Sequence, residues 1–141
     1  ECINEAHFRG IKVYLTLNTL VKDEEINEAL SVICRLYASG LDAVIVQDLG
    51  LSHIIHKLLP DLPLHASTQM SIYSIEQIRV LEKLGFKRVV LARELTLEEI
   101  ENIKKNTTLE NEVFVHGALC VSYSGQCYMS TLIGDRSGNR A

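Results

Sequence analysis

Short, nearly continuous apolar runs alternate with longer amphipathic stretches along the whole chain. Residues 12–18 (KVYLTLN), 43–48 (AVIVQD), 64–68 (LHAST), 88–92 (RVVLA) and 112–116 (EVFVH) have the length and β-rich content of strands. The second is apolar almost throughout, as a parallel strand covered on both faces must be. Between these runs the period changes to that of a helix. Ile26, Leu30, Ile33 and Tyr37 fall on one face of a helix predicted over residues 22–39, which Gly40 stops. Residues 51–59 form a short helix ended by Pro60. Ile75, Ile78, Leu81 and Leu84 mark a helix over residues 74–84, and Thr96 opens another. Ser74 with Gln77, and Thr96 with Glu99, have the spacing of capping boxes.

The order βαβαβαβαβ with short connections predicts an α/β fold of parallel βα repeats joined by right-handed crossovers. Two architectures satisfy it: an open doubly wound sheet, or a partial (β/α)8 TIM-type barrel. No GxGxxG follows the first strand, which weakens the dinucleotide-binding form of the first. The strand ends favour the second. Asn18, Gln47 and Asp48, residues 67–69, Arg93 and Glu94, and His116 stand where a barrel gathers its active-site groups. Five strands cannot close such a barrel. The chain starts at Glu1 rather than Met and is expected to be a piece of a longer protein, with residues 1–141 one domain and residues 131–141 a loop leading to a C-terminal part beyond it. An unclosed barrel exposes strand edges, so self-association is expected; a monodisperse monomer in light scattering would contradict this.

Composition narrows the class. At 47% hydrophobic and 23% charged, the 141 residues suffice for one globular core. A net charge of −4 gives no overall signal of polyanion binding. No apolar run is long enough to span a membrane, and no signal peptide is recognisable. Cys2, Cys34, Cys120 and Cys127 do not form a secreted disulfide framework, so a cytoplasmic home is expected.

Cys120 and Cys127 follow the fifth strand with six residues between them, Gly117 and Gly125 allowing close backbone approach. Thiolates bind soft metals and iron–sulfur clusters. The gap is too wide for a zinc-ribbon CxxC, and two thiols do not complete a four-ligand site. Two idle cysteines are the plain alternative. Cys34, beside the apolar face of the first predicted helix, and Cys2 read as bland. His65 and His116, at strand ends, are each a ligand, a proton carrier or a structural residue, and either can serve a nucleophilic cysteine as base. His7, His53 and His56 read as solvated. Arg93 and Glu94 form either an ion pair or part of a site in which Arg93 holds a carboxylate or phosphate. Arg136 and Arg140, among glycine and serine, form either an anion-binding loop or a solvated one. Tyr123 and Tyr128 stack on a ring or simply pack. No Ser-His-Asp order, HExxH or phosphate loop is present.

The residues go further than the spacing. Glu112-x-Phe114-x-x-Gly117-Ala118-Leu119-Cys120 followed by Gly125-x-Cys127-x-x-Ser130 strongly resembles the signature of the U32 family, whose members were long named peptidases or collagenase-like proteases. The likeness extends through Tyr14-Leu15-Thr16-Leu17-Asn18, His65-Ala66-Ser67-Thr68-Gln69-Met70, Leu91-Ala92-Arg93-Glu94-Leu95 and Arg136-Ser137-Gly138-Asn139-Arg140. The resemblance implies a barrel-like catalytic region. It also implies relatives that hydroxylate tRNA or rRNA bases or a quinone precursor. It further implies a [4Fe-4S] cluster to which Cys120 and Cys127 supply two ligands, the other two lying past the Asn-Arg pair, so that this fragment alone is not expected to hold it intact or to be active. RNA and a small anionic co-substrate are then the expected partners. Asn18, Gln47, Asp48, Gln69, Arg93, Arg136 and Arg140 are the candidate substrate-binding residues. His65, Arg93, Glu94 and His116 are the catalytic candidates. Peptide hydrolysis and a non-enzymatic cluster scaffold are the alternatives.

Overall fold

The computed structural model describes residues 2–118 and 120–134. Five strands form one parallel sheet in the order β1-β2-β3-β4-β5: β1 (Tyr14–Leu17), β2 (Ala43–Val46), β3 (Leu64–Ala66), β4 (Phe86–Val90) and β5 (Glu110–Glu112). A doubly wound sheet reverses its strand order at a switch point. This sheet does not reverse, so it is an α/β arrangement consistent with part of a barrel.

Helix α1 (Cys2–Phe8) precedes β1, and no periodicity announced it. Then come α2 (Ile26–Ala38), α3 (Leu49–Leu58), α4 (Ile75–Lys83), α5 (Leu97–Lys105) and α6 (Met129–Gly134). Both capping boxes form: the Ser74 and Thr96 hydroxyls accept from the amides of Gln77 and Glu99, whose side chains reach back. Each cap satisfies amides that a helix start leaves orphaned. The loop expected over residues 131–141 is therefore wrong for residues 131–134, which are helical. Residues 135–141, with Arg136 and Arg140, lie outside the described residues.

Alternation along the strands sorts their side chains onto two faces. Val44, Val46, Leu64, Ala66 and Val89 share one buried cluster with Ile33 of α2, Ile55 of α3, Ile78 of α4 and Ile103 of α5. That face is the core. The other carries Tyr14, His65, Arg88, Glu110 and Glu112. Tyr14 pairs in register with Ala43. Because Ala43 is small, the Tyr14 ring reaches over β2 and meets the His65 ring edge-on, at 4.9 Å between centroids. Arg88 lies 5.5 Å from the centre of the Tyr14 ring and pairs with Glu110 at 2.6 Å and Glu112 at 3.3 Å.

These ion pairs explain a correction. The fifth strand was expected over residues 112–116, on the β-propensity of Val113, Phe114 and Val115. It ends instead at Glu112, where Leu91 donates to the Glu112 carbonyl. Arg88 fixes the register on Glu110 and Glu112. Residues 113–115 run past the end of β4, and Val115 is 91% exposed. Propensity needs a neighbouring strand to act through. Cys34 is exposed, one residue round from the buried Ile33 and so beside the apolar face as expected.

His65 is 5% exposed, and its Nδ1 has no partner among the described residues. Burial, with the Arg88 charge beside it, pushes its pKa down to about 4. The folded value lies below the ordinary one near 6.5, so the unfolded chain takes the proton first as pH falls. Stability present above the unfolded pKa is lost as pH drops toward 4, by about 3 kcal/mol at full effect. Urea melts at pH 7, 5.5 and 4.5 should show this loss in the wild type and a smaller one in His65→Gln. Equal losses would contradict it.

Candidate functional site: a cysteine loop docked on the strand ends

The carboxyl ends of β3 and β4 each carry a turn that receives the cysteine loop. After β3, Ser67 caps a single 3-10 turn, Thr68–Met70, its hydroxyl accepting from the Gln69 amide. The turn ends at Ser71 in the left-handed region, φ 53°. A non-glycine residue there is strained and persists only where its surroundings hold it. After β4 come Arg93 and Glu94, 3.8 Å apart, in the ion pair that the sequence allowed.

Residues 113–118 and 120–128 fold back over these turns. Ser124 is 3% exposed in a segment otherwise largely open to solvent. Its amide donates to Glu94 Oε1 at 2.9 Å, its hydroxyl lies 3.0 Å from Glu94 Oε2, and its carbonyl accepts from the Ser71 hydroxyl at 2.5 Å. Arg93 donates to the carbonyls of Ser122 at 3.1 Å and Cys120 at 3.4 Å. Gly125 has φ 75°, and a Cβ there would drive into the Gln69 carbonyl oxygen and come within 2.8 Å of Ser71 Oγ. Partial burial pushes the Glu94 carboxyl up, yet the bonds it accepts from its own amide, Ser124 and Tyr73 leave it below the usual range.

Cys120 and Cys127 line one cavity of about 260 Å³ with Gln69, Arg93 and Tyr123. Both thiols are free and exposed. The Ser122 amide donating to the Cys120 sulfur holds that thiol below its ordinary pKa; the Ser122 hydroxyl, the Cys127 thiol and the Arg93 charge act the same way, against burial. Two sulfur atoms on one cavity wall are the donor type that a soft metal or iron–sulfur group takes, and they fit two of its ligands. Among the described residues no group of three or more His, Cys, Asp or Glu side chains assembles to hold a metal alone.

The other candidates are scattered along the same rim. His116 lines an adjoining cavity with Arg93 and Phe114. Gln47 donates to the Gln69 carbonyl at 3.3 Å, and its Oε1 is buried without a partner among the described residues. Asp48 is committed locally, accepting from the amides of Leu51 at 2.8 Å and Val21 at 3.3 Å. Asn18 follows β1 at the rim. His65 lies below the rim, in mid-strand. Tyr123 and Tyr128 are exposed rather than packed. Ser71, Tyr73 and Ser124 escaped sequence reasoning; only the Ser124-Gly125 pair between two cysteines hinted at a docking turn. No helix of the described residues is long and apolar enough to cross a membrane.

Comparison with known proteins accords with this geometry. The chain is 46% identical over 140 residues to the 23S rRNA 5-hydroxycytidine C2501 synthase of Escherichia coli, covering 99% of this chain and 21% of that protein. It is 37% identical to tRNA hydroxylation protein P of the same organism, covering 98% and 31%. It is 33% identical to a collagenase of Porphyromonas gingivalis, covering 94% and 34%. The chain thus spans between a fifth and about a third of the length of these relatives. The solved structure of the U32 peptidase Mk0906 shares its fold, with a TM-score of 0.68 at 19% identity over 79% of this chain and 48% of that one. The model of peptidase family U32 matches residues 1–141, and the chain belongs to that family.

Proposed function

We propose that this chain is part of an iron–sulfur-dependent enzyme that hydroxylates a base of tRNA or rRNA. The observation that carries the reading is the pair Cys120 and Cys127, facing one cavity on a loop tied to the strand ends. The names of the rRNA and tRNA relatives supply the reaction class. In the complete protein the sheet is part of a TIM-type barrel, and the rim is its mouth. Cys120 and Cys127 would supply two ligands of a [4Fe-4S] cluster, with the remaining ligands from elsewhere in the whole protein. Such a cluster supplies one-electron redox chemistry. The protein's own contribution is to orient the base and a small anionic co-substrate. Gln47, whose Oε1 is buried without a partner among the described residues, offers an acceptor at the rim. Asn18, Gln69 and His116 add polar groups around it, with Arg136 and Arg140 as the anion-binding candidates farther along. Arg93 and Asp48 already spend hydrogen bonds on the scaffold, so any substrate contact they make is shared. The protein is cytoplasmic on this reading, since its substrate is.

The test is mass spectrometry of nucleosides from total RNA of a strain lacking the gene. A hydroxylated pyrimidine should disappear and return when the gene is restored. An unchanged nucleoside profile would remove the main support for the reading. The collagenase and protease names among the relatives favour a second reading, peptide hydrolysis. Against it, among the described residues no hydrogen bond joins a histidine to a serine or cysteine, the pairing that a nucleophilic hydrolase uses. Cleavage of a protein substrate that persists in Cys120→Ala and Cys127→Ala would favour it.

A further inference from the structure

We propose that Glu94, Arg93 and Ser124 form a latch that presets the separation of the Cys120 and Cys127 thiols, making Glu94 and Arg93 positioning residues for the metal-holding pair; this rests on the ligand role proposed above.

Two thiols seven positions apart on a free loop would have to close that loop whenever they gripped one atom, at an entropic cost. A loop already held in the closed form avoids it. Ser124 lies between the two cysteines, and every polar group it has is occupied. Its amide and hydroxyl go to the Glu94 carboxylate, at 2.9 and 3.0 Å, and its carbonyl takes the Ser71 hydroxyl at 2.5 Å. The Arg93 amide lies 3.3 Å from the Ser124 hydroxyl, and the Arg93 guanidinium holds the carbonyls of Ser122 and Cys120. Alternate residues 120, 122 and 124 are thus each bound by the consecutive pair 93 and 94. That pair follows β4, which is hydrogen-bonded to a neighbour on both sides. None of these contacts is to a sulfur atom. Their common effect is on where the loop backbone runs.

The separation can be read without iron. Phenylarsine oxide bridges two thiols through one arsenic, forming two As–S bonds and releasing water, and it binds tightly only where the sulfurs are already close. In the metal-free full-length protein with Cys2→Ser and Cys34→Ser, one bound equivalent should be abolished by Cys120→Ser. Glu94→Gln and Ser124→Ala, both outside the sheet and its apolar core, should each weaken arsenical binding at least tenfold. The two thiols should still react singly with N-ethylmaleimide, and the far-UV spectrum and melting temperature should hold. Amide hydrogen exchange across residues 120–127 should speed up while that of β3 and β4 does not. If both variants bind the arsenical as tightly as the parent, the latch is wrong. If the variants lose it but the full-length protein proves free of iron, the latch stands and the cluster reading falls.

Discussion

Replacing either Cys120 or Cys127 by alanine in the full-length protein, purified without oxygen, is expected to strip most of its iron and its broad visible absorption. Altering only the partners that orient a metal's ligands commonly costs roughly 10- to 100-fold in affinity, and deleting a ligand costs more. The Cys120 sulfur accepts from the Ser122 amide, and the Arg93 charge lies near it; both favour its thiolate form. Alanine leaves those donors with nothing to stabilise. Cys34→Ala is the internal control. That thiol is exposed on α2, away from the cavity, and its loss should leave iron content unchanged. Equal iron in all three variants would exclude the pair as ligands.

Gly125→Ala is expected to have nearly as large an effect on iron while sparing the fold. A Cβ at this position meets the Gln69 carbonyl oxygen, which is backbone and cannot rotate away. The φ of 75° adds about 1–2 kcal/mol of left-handed strain for an L side chain. Strain and clash together oppose the hydrogen bonds that seat this turn, each worth roughly 0.5–1.5 kcal/mol net. The loop should lift off. The sheet lies beneath it and contributes no residue to the clash except through the turn after β3, so the melting temperature should change little. Gly10→Ala separates the two causes. Its φ is 72°, but a Cβ there has nothing within 4 Å, so only the strain remains and the cysteine loop is untouched. Gly125→Ala with full iron content would mean that the loop does not need this seat.

The βα repeat was legible because each element announces itself locally. Ile26, Leu30 and Ile33 trace a helix face, and Ser74 with Gln77 mark a helix start that forms as read. The end of the sheet was not legible. Val113, Phe114 and Val115 have strand propensity, and only the long-range pairing of Arg88 with Glu110 and Glu112 decides that they lie beyond it. The site divided in the same way. Cys120 and Cys127 stood out by residue type and by the motif around them. Ser71 and Ser124 are ordinary small polar residues whose roles come from one hydrogen bond spanning more than fifty positions. Glu94 was seen as an ion-pair partner of Arg93, which it is, but its larger task is to receive the Ser124 amide and hydroxyl. His65, read from the sequence as a ligand, a proton carrier or a structural residue, is buried in mid-strand against Tyr14.

The most direct test of the account is the iron and acid-labile sulfide content of the anaerobically purified full-length protein, measured beside its Mössbauer spectrum. Near-equal iron and sulfide, about four of each per chain, is the predicted result for a [4Fe-4S] group. A colourless protein without iron, in which Cys120 and Cys127 both alkylate as ordinary thiols, would contradict it.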